Sequence, residues 1–280
     1  MPKQSDIVIK TSEFVSQLFK ERLPEYLVYH TFGHSEKVAD TSYKIGKGMK
    51  LGDEGLEIVT LAGWLHDTGY TEIYRGHEEI SMRIAREFLR KENYPEEKIS
   101  LITGCIKATK IPQQPQNLLE EIVADADLAG LGRKSFFADT ELLHYEWKTA
   151  LSRKYSQQQW MQQNLELLTG HTFFTIYARE KYTKRQNENT KAVAKILHKL
   201  AEEEEIFGTQ NTIDNFEWAN RWDSPVEIEN EVTSQEISET IPLPKPENDI
   251  RAQIMTLACA VIPLVIVFSL IVLVQQGVQE

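Results

Sequence analysis

The chain has 280 residues, 41% of them apolar and 26% charged, enough for one large domain or two small ones, and carries a formal net charge of −11. The acidity is concentrated in residues 211–250, where ten acidic side chains face only Arg221 and Lys245, a net −8, which leaves residues 1–210 near −3. Neither part is basic, so duplex nucleic acid is excluded as a partner on electrostatic grounds.

Apolar residues three and four apart predict helices over 7–23, 33–49 and 54–65. The pattern returns over 78–90, with Ile80, Ile84, Ala85, Phe88 and Leu89 on one stripe. Pro95 opens a further helix carrying Ile99, Ile102, Cys105 and Ile106, because proline suits a first turn. After a loop with Pro112 and Pro115 comes a helix over 118–128, and two longer helices, about 136–155 and 172–204, close the domain. No segment alternates over strand length. The expected fold is therefore an all-α domain over 1–205, without internal repeat.

Beyond residue 205 the character changes. Residues 206–250 carry Pro225, Pro242, Pro244 and Pro246 among many acids, which predicts a disordered acidic linker. Trp218 and Trp222 within it offer points for docking on the domain or on a partner. Residues 254–274 are 21 positions without a charge, and at about 1.5 Å per residue they match a bilayer core of roughly 30 Å. The N-terminal MPKQSDIVIK has no apolar core of signal-peptide length. The expectation is a tail-anchored, single-span membrane protein with its N-terminal domain in the cytoplasm. Cys105 and Cys259 lack a CxxC partner, and Cys259 falls in the apolar tail, so a reducing compartment is the default.

The chemistry gathers at helix ends. In "LAGWLHDTGY", residues 61–70, an apolar helix runs into His66 and Asp67 before breaking at Gly69. Burying a charge without a partner costs several kcal/mol, so the pair needs compensation. His34 in "YHTFGHSEKV" and Asp127 in "ADADLAGLG" are two further ligand types at helix ends. Two imidazoles and two carboxylates form a borderline-hard set suited to a divalent ion: Mn, Fe, Mg, Ni or Zn. Helices that bring His34 and Asp127 to the His66–Asp67 pair would complete an inward-facing metal site.

In this order, "YHTFGH", "LAGWLHDTGY", "GHEEISMRIAREFL", "CIKATK" and "DADLAGLG" resemble the HD-domain phosphohydrolases, whose signature is H…HD…D, over about residues 25–190. The resemblance implies an HD helical bundle in which His34, His66, Asp67 and Asp127 bind metal. It leaves Asp125 as support behind a ligand, and places the "YH" of His30 where it can help orient one. His77, in "GHEEIS", is implied as a phosphate contact or proton donor; with Ser81 in place of a second histidine it is no HExxH protease motif. Lys107 and Lys110 are candidates for neutralising phosphate, and Arg153 and Tyr155 for lining the pocket. His144, His171 and His198 are expected to be structural or surface residues.

Such a site supports hydrolysis at phosphorus. A metal lowers the pKa of water and polarises a phosphoryl oxygen, Asp67 orients or deprotonates the water, and His77 protonates the leaving oxygen. There is no P-loop and no GxSxG elbow, so a nucleotide would be substrate rather than fuel. The expected activity is hydrolysis of a nucleotide or other phosphate ester at a membrane surface. The alternative is a catalytically weak HD module that binds a nucleotide signal and passes it to a membrane partner, and a third is a membrane-tethered scaffold with a structural metal. Oligomerisation is left open.

Overall fold

Eight consecutive residues, Ile58 through Leu65, are buried on every side, which a helix permits only when neighbours surround it. The computed structural model describes residues 5–152 and 154–207, and this helix, α3 (Asp53–Leu65), is its axis. Around it pack α1 (Asp6–Arg22), α2 (Phe32–Gly48), α5 (Glu96–Ala108) and α6 (Leu118–Asp127). Between α3 and α5 run a 3-10 turn (Thr68–Thr71) and α4 (His77–Lys91). A second 3-10 turn, Leu128–Gly132, continues α6 and leads to α7 (Phe136–Ala150), α8 (Gln157–Gly170) and α9 (Ile176–Phe207). Among the described residues there is no strand, so the all-α expectation holds there.

Ile58, Leu61 and Leu65 of α3 meet Ile99, Ile102 and Ile106 of α5 and Ile122 of α6 in one hydrophobic core. Each fully buried side chain of this size stabilises the fold by about 1.5–3 kcal/mol. On the α2 side the contact is closer than side chains allow. A β-carbon on Gly63 would lie 2.7 Å from Cα and 2.8 Å from N of Ala39. Only glycine at that crossing lets α2 and α3 touch backbone to backbone, and the crossing carries His34 and His66 to one place.

The helix ends follow their local chemistry. Asn117 caps α6 by accepting the N–H groups of Leu119 and Glu120, and Ser156 and Gln159 form a reciprocal capping box at the start of α8. That last helix departs from expectation. The sequence pattern runs one helix to residue 155 and leaves 156–171 open, whereas α7 stops at Ala150 and a separate α8 follows. The buried face of α8 is Trp160, Met161, Asn164 and Leu168, and the asparagine interrupts its apolar period. Asn164 is tolerated there because its side-chain N–H donates to the Trp160 carbonyl at 2.8 Å.

Among the described residues no helix is long and apolar enough to cross a membrane. Beyond Phe207, the expected acidic linker and the expected span over 254–274 lie outside the described residues, as does Arg153.

Candidate metal centre and catalytic site

Three helices each deliver a ligand-type side chain to one point. His34 comes from the first turn of α2, His66 and Asp67 from the end of α3, and Asp127 from the end of α6. One ligand atom from each of His34, His66 and Asp127 lies within 4.8 Å of the others. The Asp67 Oδ2 joins them, 3.1 Å from His66 Nε2 and 3.5 Å from His34 Nε2. Asp127 Oδ1 is 3.4 Å from His34 Nε2 and 3.5 Å from His66 Nε2. The four sequence-selected ligand positions are thus brought together.

Whether they suit a cation is decided by what else could satisfy them. His34 Nε2, His66 Nε2 and Asp67 Oδ2 are buried without a hydrogen-bond partner, and unpaired buried polar atoms are costly. His66 Nδ1 donates to the Gly63 carbonyl at 2.8 Å, which fixes the tautomer and turns the Nε2 lone pair inward. Ligand atoms about 2.1 Å from a common ion would be separated by roughly 3.0–3.4 Å, close to the spacing found. The residues fit a divalent cation.

The electrostatics agree. Burial pushes the His66 imidazole toward neutrality, but the Asp67 and Asp127 carboxylates outweigh it and hold its pKa well above the ordinary range. Burial would raise Asp67, yet His66, His77 and His30 keep it well below its usual value. Asp127 is lowered to about 2: burial opposes, and the facing His34 and His66 imidazoles prevail. Without metal, a proton on His66 neutralises part of the acidic pair; a cation would replace it.

His77 opens α4 directly after Gly76, whose φ of 74° turns the chain into the helix. Its Nδ1 donates to the Tyr74 carbonyl at 3.2 Å, and its Nε2 lies 3.3 Å from Asp67 Oδ1. Gly69 makes this approach possible, because a β-carbon there would lie 2.0 Å from the His77 carbonyl oxygen. The Gly69 N–H also donates to Ser81 Oγ at 2.8 Å, pinning α4 to the turn after His66–Asp67.

Other expected residues are placed differently. Lys107 and Lys110 are exposed, at the end of α5 and just after it, and neither lines the cleft beside His34 and Asp127. That cleft, of about 120 Å³, takes its cations from Lys37 and Arg133. Arg133 is held in place by donating to Thr41 Oγ1 on α2 at 2.5 Å. Tyr155 is half-buried, with the rings of Trp147 and Trp160 at 6.2 and 6.1 Å. Asp125, two residues before Asp127, makes its hydrogen bonds with the start of α9. Its carboxylate accepts the N–H groups of Phe174 and Thr175, both at 2.8 Å, and the Thr175 hydroxyl at 2.7 Å, holding the start of α9.

Sequence reasoning passed over Glu146, Tyr70 and Tyr74. Glu146 is fully buried and accepts from the backbone and side chain of His30, and Tyr70 stacks directly on His77. The available signal was weak: an isolated acid in the aromatic run "HYEWK" and two tyrosines following "HD".

Residues 31–128 match the family model described as the HD domain, a stretch that begins just before His34 and ends just after Asp127. No curated protein matches the chain. Solved structures similar to it include a predicted HD superfamily hydrolase from an uncultured Thermotogales bacterium, at 16% identity over 67% of this chain and 92% of that one, with a TM-score of 0.46. Another is Bacillus subtilis YpgQ in complex with ADP, at 16% identity over 68% of this chain and 95% of that one, TM-score 0.48. A third is the Lin1889 protein from Listeria innocua, at 18% identity over 70% and 98%, TM-score 0.47. The HD-domain match thus spans the same stretch that brings His34, His66 and Asp127 together as a group able to hold a metal ion.

Proposed function

We propose that the chain hydrolyses a phosphate ester, a nucleotide among the candidates, using a divalent cation held by His34, His66, Asp67 and Asp127. One observation carries the proposal: ligand atoms from three helices converge with three of them buried and unpartnered. The HD-domain match over the same residues supports it.

When bound, the cation supplies Lewis-acid activation of water and charge neutralisation at the phosphoryl group. The chain's own residues supply the proton traffic. Asp67 presents Oδ2 to the histidine ligands and Oδ1 to His77, so one carboxylate spans the metal side and the acid side of the site. Water oxygen attacks phosphorus as its proton passes to Asp67 Oδ1. The bond from phosphorus to the leaving oxygen breaks, and His77 Nε2 protonates that oxygen. The proton on Asp67 then returns to His77 across their 3.3 Å contact, restoring both groups. Lys37 and Arg133 line the cleft next to His34 and Asp127, where their charge suits the remaining phosphate oxygens.

A membrane tether through residues 254–274 is part of the proposal on sequence grounds alone. The deciding experiment is a screen of nucleotides and simple phosphate esters with each of Mn²⁺, Mg²⁺, Ni²⁺, Zn²⁺ and Fe²⁺. Release of phosphate or of a nucleotide product, abolished by chelator, is expected. Nucleotide binding without turnover would instead favour a sensing module, and metal retention with neither would favour a scaffold.

A further inference from the structure

Glu146 lies on α7, a helix that carries none of the ligands, yet its side chain is 0% exposed. A buried carboxylate costs several kcal/mol unless its oxygens are satisfied. Four donors do so here. The N–H groups of Tyr29 and His30 donate to Oε2 at 2.9 and 3.1 Å, and His30 Nδ1 and the Tyr74 hydroxyl, the latter at 2.8 Å, donate to Oε1. The backbone pair would suffice to fasten α7 to the segment before α2. The side-chain pair goes further, because both of those residues lead to His77.

The first route is a stack of three rings. His30 lies against Tyr70 with centroids 4.3 Å apart and planes 27° apart, and the Tyr70 hydroxyl is 3.3 Å from His30 Nε2. The next ring is His77, 3.8 Å from Tyr70 and tilted only 17°. The second route is Tyr74, whose hydroxyl is on Glu146 and whose carbonyl accepts from His77 Nδ1. One route fixes the plane of the His77 imidazole and the other its Nδ1 edge. Together they leave Nε2 a single direction, toward Asp67.

We propose that Glu146 is a positioning residue for His77, acting through the His30–Tyr70 stack on one side and through Tyr74 on the other. The proposal rests on the reading of His77 as the proton donor. Glu146 itself touches none of the ligands; a route through Tyr29, whose ring is 4.8 Å from that of His34, would show as a change in metal content rather than in the His77 ring.

Glu146→Gln keeps the shape and removes the charge. With metal content unchanged, it is expected to lower kcat on the order of 10-fold to 10²-fold, the scale for a misplaced catalytic group, with little change in KM. In a His77→Ala background it should cost nothing more. Equal losses in both backgrounds would overturn the proposal and make Glu146 a structural staple. A second readout needs no turnover, and so separates this proposal from the hydrolase reading. The Tyr70 ring current shields the His77 ring protons, whose NMR signals are assigned by their loss in His77→Ala. These signals should move downfield in Glu146→Gln, and an unchanged position would overturn the proposal even if no substrate is ever found. Should Glu146→Gln fail to fold, Tyr74→Phe cuts one route only and is read in the same way: a shifted His77 resonance supports the proposal and an unshifted one overturns it.

Discussion

Asp67 turns its two carboxylate oxygens to different neighbours: Oδ2 faces His66 at 3.1 Å, while Oδ1 faces His77 Nε2 at 3.3 Å. A single side chain therefore joins the proposed cation site to the proposed acid. Its removal should cost both at once. Asp67→Ala is expected to lose metal and hydrolysis together, measured by elemental analysis of the purified protein and by phosphate release. Retention of both would remove Asp67 from the site.

His77→Ala separates the two halves. It should keep its metal and lose rate on the order of 10²-fold, within the range for a general acid. Loss of metal would make His77 a ligand, and an unchanged rate would remove it from the chemistry.

The pH response should reverse when metal is bound. In the metal-free protein the pKa of His66 stands above its ordinary 6.5, because the pull of Asp67 and Asp127 outweighs burial. A raised folded-state value stabilises fully below 6.5, and that contribution is lost as pH rises through the folded value. Asp127, lowered from 3.8 to about 2, contributes above 3.8 and loses that contribution as pH falls toward 2. A cation needs His66 deprotonated, so its apparent affinity should climb up to about tenfold per pH unit until the raised value is passed. Thermal melts from pH 6 to 9 with chelator should show declining Tm, and the same melts with Mn²⁺ should not. Parallel curves would mean that no cation displaces a proton from this cluster.

Gly69→Ala places a methyl 2.0 Å from the His77 carbonyl oxygen, so backbone must move. Overpacking of this kind costs about 1–3 kcal/mol, which lowers Tm by roughly 2–12 °C in a domain of this size. Metal content should survive while activity falls, because α4 moves and the three ligand helices do not. A variant with wild-type Tm and wild-type rate would show that the close approach is not required.

For residues 254–274, expression with and without residues 251–280 followed by fractionation tests the expected span. The full-length chain should require detergent and the truncated chain should not. Recovery of the full-length chain in the soluble fraction would end the membrane proposal.

Much of the site was legible because its residues carry their own context. His34 falls where an apolar helical pattern begins, and His66, Asp67 and Asp127 fall where one stops; a helix end is where an inward-facing ligand can point without breaking a helix face. Lys107 and Lys110 were chosen by charge, and charge says nothing about direction; α5 turns Lys107 outward. Glu146 was hidden for the opposite reason. Its partners Tyr74 and His30 are 72 and 116 residues away, and nothing near it in the chain shows that it is buried. The missed α8 shows the limit of periodicity where a buried asparagine stands in the apolar face.

The grip of Asp125 on Phe174 and Thr175 has a mechanical consequence. Asp125 is two residues from Asp127 on the same helix, so the ligand-bearing tip of α6 and the root of α9 are one rigid piece. At about 1.5 Å per residue, the 32 residues of α9 form a rod of roughly 48 Å clamped behind a metal ligand. A ligand cage works only while its members hold position to within about 0.5 Å. The rod bears none of the proposed ligands, yet a torque on it arrives at the Asp127 carboxylate through Asp125, so the stiffness of the proposed cage is set partly by a helix outside it.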